Sequence, residues 1–284
     1  MHPIFLQTYS YGRFDMPRRE MLQKAAEMGY EGVEVMGPLD EAAAAELAEF
    51  GLGILDAAVE LGADGSIANA DLIARLGIKF AGTDTMIMFG DHEQALQAAE
   101  AAEAIGAKLA RYGLKLYYHN HTHEFRSEKG EYLLETFIEN TDPAHVTLQL
   151  DCGWATCAGA DPIAFMAKHA GRVGMIHIKA CTSVLGTEAV AFIAPPPGPL
   201  TFGPMERPRD MDPAAMEAIM AKMKYAQSAN GAMRGDLVPW RKVIDAAAAQ
   251  GCQGYIIERE RAYDDKDRIQ CLTEDLTYIR EVMQ

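Results

Sequence analysis

Short apolar runs alternate with amphipathic stretches along almost the whole chain. Residues 4–10 (IFLQTYS), 32–36 (GVEVM), 52–57, 78–86, 114–120, 146–151 (VTLQLD), 173–179 (VGMIHIK) and 254–260 (GYIIERE) read as eight strands. Between them lie stretches with the 3.6-residue period of a helix, among them RREMLQKAAEMG, DEAAAAELAEF, the long run 92–112, EYLLETFIENT and DPIAFMAKHAG. A last helix spans about 266–282. Most of the helices run into a glycine suited to a left-handed cap. Strict alternation implies parallel strands joined by right-handed crossovers. Eight such units predict one closed (β/α)₈ TIM barrel over residues 1–284, an α/β fold. A doubly wound open sheet is the competing architecture, but the first strand–helix turn has no GxGxxG phosphate loop.

The alternation breaks once, between strands seven and eight, over about 182–238. The segment holds AFIAPPPGPLTFGPMERPRD, where Pro and Gly exclude regular structure, and then a helical DPAAMEAIMAKMKYA. An insertion after a barrel strand leaves the C-terminal face, where barrel enzymes keep their sites, so a lid or an oligomer contact is expected.

Composition narrows the partners. A chain of 284 residues with 49% hydrophobic residues supports a large core. The 41 acidic against 26 basic residues, net −15, disfavour nucleic acid and anionic membrane surfaces. No run reaches the roughly 18 apolar residues of a membrane span. The start of the chain lacks a signal-peptide pattern. Cys152, Cys157, Cys181, Cys252 and Cys271 are odd in number and unpaired in spacing, as in reduced buried thiols. A cytoplasmic location is the expectation, with a symmetric homo-oligomer, dimer or tetramer, as the prior.

In a barrel the chemistry sits at the C-terminal strand ends. Strand five ends in YYHNHTHEF, with His119, His121, His123 and Glu124; strand six ends at Asp151. Strand seven carries His177 and Lys179, and strand eight Glu258 and Glu260. Residues two apart share a strand face, so His177 pairs with Lys179, and Glu258 with Glu260. Two Glu, one Asp and one His converging on one cavity would carry about three negative charges, too costly without a cation. Oxygen donors with one imidazole suit Mn²⁺ first, with Mg²⁺, Co²⁺ or Zn²⁺ as alternatives. His119 and Glu124 lie five positions apart, so the strand must stop near Asn120 and turn for Glu124 to reach the centre. An amidohydrolase-type binuclear zinc site would place its HxH at the first strand, not the fifth. Asp161, before Pro162, reads as a helix cap.

HNHTHEF, LDCGWATCAGADPIAFMAKHAGRVGMIHIKA and YIIERE resemble the xylose-isomerase-like barrel superfamily of sugar isomerases, epimerases and inosose dehydratases. The resemblance implies one divalent metal on Glu124, Asp151, His177 and Glu258. It makes Glu124 and Glu258 the acid/base pair on either side of a sugar. His119, His121, Trp154, Lys179 and Glu260 become candidate substrate contacts. The sequence departs from the family at Trp154, where its epimerases carry His, and at Ala180, where HxKD is common. Endonuclease IV shares the fold but needs more zinc ligands and a basic groove. The implied reaction is proton abstraction next to a carbonyl through an enediolate. The first expectation is therefore a sugar isomerase or epimerase. A dehydratase or lyase on a keto-sugar, keto-glycoside or keto-inositol comes second, and a non-catalytic sugar-binding barrel third.

Overall fold

The computed structural model describes residues 2–11, 16–34, 37, 39–62, 66–83, 89–190, 213–260 and 266–284. In chain order the elements of the first half are β1 (Ile4–Gln7), α1 (Arg18–Met28), β2 (Gly32–Glu34), α2 (Glu41–Glu49), β3 (Gly53–Ile54), β4 (Asp56–Val59), α3 (Ala70–Arg75), β5 (Phe80–Thr83) and α4 (His92–Ala110). There follow β6 (Lys115–His119), the hairpin β7 (Ser127–Glu128) and β8 (Glu131–Tyr132), α5 (Leu133–Glu139), β9 (Val146–Asp151), α6 (Cys152–Ala158), α7 (Pro162–Lys168) and β10 (Val173–Lys179). The chain ends with α8 (Pro213–Gln227), α9 (Trp240–Ala249), β11 (Gly254–Glu258) and α10 (Arg268–Val282).

The main sheet is parallel, in the order β3-β2-β1-β11-β10-β9-β6-β5-β4. Its two edge strands are one stretch of chain: β3 pairs with β2 and β4 with β5, and only Leu55 lies between them. The third predicted strand is thus split, and the split strand closes the sheet into the TIM barrel. Helices wrap the outside, and their apolar faces meet the outward strand residues in one continuous core that includes Leu6, Val33, Leu116, Tyr118, Leu148, Leu150, Ile176 and Ile257.

Several boundaries differ from those predicted. The first strand stops at Gln7 and passes into a 3₁₀ turn, Thr8–Tyr11, and the eighth stops at Glu258. The predicted ends at 35–36 and 84–86 lie outside the described residues. Helix α6 was not expected. Asp151 caps it by accepting from the Trp154 amide (2.7 Å), and Gly159 ends it in the left-handed region at φ 90°. Gly153 is needed there because a Cβ would lie 2.2 Å from the Lys179 carbonyl oxygen. Asp161 caps α7, accepting from the Ile163 and Ala164 amides, as its place before Pro162 predicts.

Of the predicted insertion, 191–212 lie outside the described residues, while its helical part forms α8. Its two ends are tied together: the Thr182 amide donates to Ala229, and the Leu237 amide to Cys181. The five cysteines are buried, with no disulfide among the described residues. Among the described residues no helix is long and apolar enough to cross a membrane.

Candidate metal centre

Inside the barrel, Phe5, Phe80, Met175 and Ile256 form a small separate apolar cluster, with Leu55 and Tyr117 packed against it. These residues fill the barrel below the site. Moving two positions toward the C-terminal end of each strand keeps the inward face, since strand side chains alternate. Phe5 is thus followed by Gln7, Tyr117 by His119, Met175 by His177 and Lys179, and Ile256 by Glu258. Cross-strand register aligns them: Gln7 with Glu34, His119 with Gln149, Asp151 with His177, and Lys179 with Glu258. The apolar plug therefore gives way to a polar layer.

Within that layer His119, Asp151, His177 and Glu258 each offer one donor atom, and these four atoms lie within 4.8 Å of one another. Asp151 divides its carboxylate. One oxygen caps α6, and the other, Oδ2, is buried with no hydrogen-bond partner among the described residues. Its neighbours are His119 Nε2 at 3.9 Å, His177 Nδ1 at 4.0 Å and Lys179 Nζ at 4.0 Å. Reciprocal bonds fix the strand ends that present it: the Asp151 amide donates to Asn120 Oδ1 (2.9 Å), and Asn120 Nδ2 donates to the Asp151 carbonyl (3.3 Å). A buried carboxylate oxygen without a donor, ringed by two imidazoles and a second carboxylate, fits a divalent cation.

The electrostatics agree. Burial pushes Asp151 up to about 7, against the pull of Lys179 and His177. Burial opposes charge on His177, but Glu34 at 2.8 Å and Glu258 at 3.0 Å outweigh it and raise the imidazole to about 10. Burial would also raise Glu258, yet Lys179 and His177 hold its carboxyl well below the usual range. Lys179 is kept charged despite burial by Glu258 (3.1 Å) and Glu260 (2.6 Å), and its Nζ lies 4.5 Å over the Trp154 ring. Burial drives His119 well below its ordinary value and His121 down to about 4.

Among the expected ligands, Asp151, His177 and Glu258 converge and Glu124 stands apart. The turn required after Asn120 is present as a 3₁₀ helix, His123–Phe125. It carries Glu124 to the outward side, where the carboxylate accepts from the Tyr118 hydroxyl (2.9 Å) and the His121 amide (2.9 Å). Tyr118 is outward because it neighbours the inward His119, and it stacks on Phe89 and packs at a tilt against Phe137. His119, expected at the substrate, takes the fourth place in the cluster. His121 lies beside it, with ring centroids 5.0 Å from His119 and 6.3 Å from Trp154. Trp154 is buried, and its indole Nε1 has no hydrogen-bond partner among the described residues. Glu260 binds Lys179 and also accepts from Gln227 of α8 (3.2 Å). Arg172 lies at the opposite end of β10, bonded to Thr141 and the Val146 carbonyl.

Buried polar residues of this layer that the sequence reading does not single out include Glu34, Asp56 and Gln149. Glu34 ends β2, Asp56 starts β4 and Gln149 lies two residues before Asp151. The alternation of β9 could have flagged Gln149, and the end of GVE could have flagged Glu34. Asp56, bonded to Tyr117 (3.3 Å) and pushed well up by burial and by Glu34, leaves no sequence signal because its strand is broken at Leu55.

Comparison with known proteins adds to this geometry. A 92-residue stretch is 33% identical to the inosose dehydratase of Halalkalibacterium halodurans, covering 32% of this chain and 29% of that protein. The chain thus spans under a third of the length of the curated relatives it matches. The fold superposes on a sugar phosphate isomerase/epimerase from Parabacteroides distasonis with a TM-score of 0.66 and 19% identity, over 98% of this chain and 93% of that one. It superposes on the 3-keto-D-glucoside 4-epimerase of E. coli with a TM-score of 0.63 and 14% identity, over 99% and 100% of the two chains. Residues 22–282 match the family described as xylose isomerase-like TIM barrel, and the chain belongs to that family.

Proposed function

We propose that this chain is a divalent-metal-dependent isomerase or epimerase that removes a proton next to the carbonyl of a sugar or keto-sugar, through an enediolate. The observation that carries the reading is the buried Asp151 Oδ2, without a partner, among His119 Nε2, His177 Nδ1 and Glu258. These four residues would hold the ion. A second imidazole moves the donor set away from Mg²⁺ and toward Mn²⁺, Co²⁺ or Zn²⁺, with Mn²⁺ still first for a set that is half carboxylate. The ion supplies Lewis-acid stabilisation of the charge that develops on the substrate oxygens.

The residues of the chain do the rest. Glu258, ionised and buried, accepts the proton from carbon. Its return by Glu258 to the neighbouring carbon isomerises the sugar, whereas epimerisation takes a second proton donor on the opposite face and leaves the first proton on Glu258 to be lost to solvent. Lys179 and the indole N–H of Trp154 are the donors for substrate oxygens, and Glu260 holds Lys179 in place. Glu124 acts from behind, fixing the backbone of His121, whose neutral imidazole adjoins Trp154. Residues 182–238 form a lid or a contact between copies, with Gln227 as the link to Glu260.

One observation favours a dehydratase as the second reading. Glu258 has an ammonium group 3.1 Å away and lacks an opposing carboxylate from Glu124. Such a pair suits elimination: Glu258 takes the proton from carbon, the C–O bond to the β-hydroxyl breaks, and Lys179 protonates the departing hydroxide as water. The stretch shared with inosose dehydratase points the same way.

Elemental analysis of the purified protein, beside Asp151→Asn and Glu258→Gln, tests the centre. About one equivalent of metal in the parent, lost in Asp151→Asn, is expected. A parent that takes up none after incubation with Mn²⁺ sinks the proposal. Keto-sugars incubated in ²H₂O then separate the two readings, since deuterium incorporation at unchanged composition marks isomerisation or epimerisation and loss of water marks elimination.

A further inference from the structure

Beneath the four-donor cluster runs a buried chain of hydrogen bonds that none of the assigned roles uses. His177 Nε2 lies 2.8 Å from Glu34 Oε2. The same oxygen accepts from Gln149 Nε2 at 3.3 Å, and Gln149 Oε1 lies 3.0 Å from His119 Nδ1. Glu34 and Gln149 are both buried, so neither can exchange these partners for water. The chain joins the two imidazoles of the cluster through their far nitrogens, across β2, β9, β6 and β10.

Its polarity runs outward from the shared Glu34 oxygen. A carboxylate oxygen approached by two nitrogens accepts from both. Glu34 therefore requires an N–H from His177 Nε2 and turns the amide NH₂ of Gln149 toward itself. With its NH₂ committed, Gln149 can present only its carbonyl oxygen to His119, which places the proton of that ring on Nδ1. His119 Nε2 is then left with its lone pair on the side of Asp151 Oδ2, while His177 Nδ1, which lies 3.0 Å from Glu258 Oε2, would give up its proton to make room for a cation and Nε2 would keep the one that Glu34 holds. One carboxylate at the end of β2 thus sets opposite orientations in two histidines on different strands, one through Nδ1 and the other through Nε2.

We propose that Glu34 and Gln149 are positioning residues that fix complementary tautomers of His177 and His119, so that both rings present a lone pair to one cation. This rests on the metal reading above and extends it to two residues that touch neither ion nor substrate. Outer partners of metal-bound histidines orient the ring and raise its basicity, and their loss weakens metal binding by about 10–100-fold.

The test loads the full chain with Zn²⁺ and compares parent, Gln149→Met and Glu34→Gln by competition against a chromogenic chelator and by long-range ¹H–¹⁵N correlation of the histidine rings. The parent is expected to show His177 protonated at Nε2 and His119 at Nδ1. Gln149→Met keeps volume and burial but cannot accept from His119. It should lose the protected His119 Nδ1–H resonance and bind Zn²⁺ about 10–100-fold more weakly. In Glu34→Gln the same loss of affinity is expected, together with a change at His177. Thermal unfolding of the metal-free proteins confirms that each variant folds, and if one does not, the other carries the test. The proposal is overturned if both folded variants bind as tightly as the parent, or if both histidines ligate through the same nitrogen. A parent that binds no Zn²⁺ sinks the metal reading instead. The relay is then decided by whether Gln149→Met abolishes the His119 Nδ1–H resonance of the metal-free protein.

Discussion

The two faces of the same strands build different things. Outside the sheet, a continuous apolar layer joins strands to helices, with the rings of Tyr118, Phe89 and Phe137 packed at centroid distances of 4.6–5.5 Å. Inside it, the apolar part is a plug around Phe5, Phe80, Met175 and Ile256, and above it the space is given to Glu34, Asp56, His119, Gln149, Asp151, His177, Lys179 and Glu258. The outer face holds the fold and the inner one concentrates charge. What separates them is strand parity: Tyr118 and His119 are neighbours in sequence and end on opposite sides of the barrel wall. Two glutamates mark the contrast. Glu258 is inside, between His177 and Lys179, whereas Glu124 is outside, on the Tyr118 hydroxyl.

Exchanging each glutamate for its amide breaks this comparison most severely. With the substrate class established, Glu258→Gln is expected to lower kcat by about 10²–10⁴-fold, the range for a lost general base, and to disturb the metal content. Glu124→Gln should cost less than tenfold in kcat while lowering stability by about 1 kcal/mol, the value of a weakened buried hydrogen bond. Steady-state kinetics with thermal unfolding on both variants decides it, and equal kinetic losses would put the two carboxylates on one footing.

The outer layer is probed by Phe137→Ala. Truncating a fully buried aromatic ring costs about 3–5 kcal/mol. Denaturant unfolding should show that loss while the folded variant takes up as much metal as the parent does. Metal loss at full stability would contradict the division of labour.

The smallest effect lies at the root of the insertion. Asp236 accepts from the Cys181 amide (3.1 Å) and the Trp240 indole (3.2 Å), and burial nevertheless pushes it up to about 7. Its carboxyl value is raised on folding, so ionisation is disfavoured in the native state. The penalty is absent below about pH 4, the ordinary carboxyl value, grows as pH rises, and is complete above about 7. Asp236→Asn removes that penalty, and its melting temperature should gain on the parent by a few degrees between pH 4 and 7. A constant difference across that window would show that Asp236 does not titrate there.

The repeating strand–helix pattern by itself determined the barrel, because the period of apolar residues and the glycine stops are local properties of the chain. It also determined that carboxylates and imidazoles gather at the ends of the later strands, since strand direction and the alternation of VGMIHIK and YIIERE follow from sequence. Tertiary structure alone decided which of them meet. The 3₁₀ turn after Asn120 takes Glu124 outward, a result of where Tyr118 offers its hydroxyl, and no spacing rule contains that. Glu34 and Gln149 enter the site because barrel closure brings strands distant in sequence across one cavity, and hydrogen bonds between residues 115 and 143 positions apart leave no local trace.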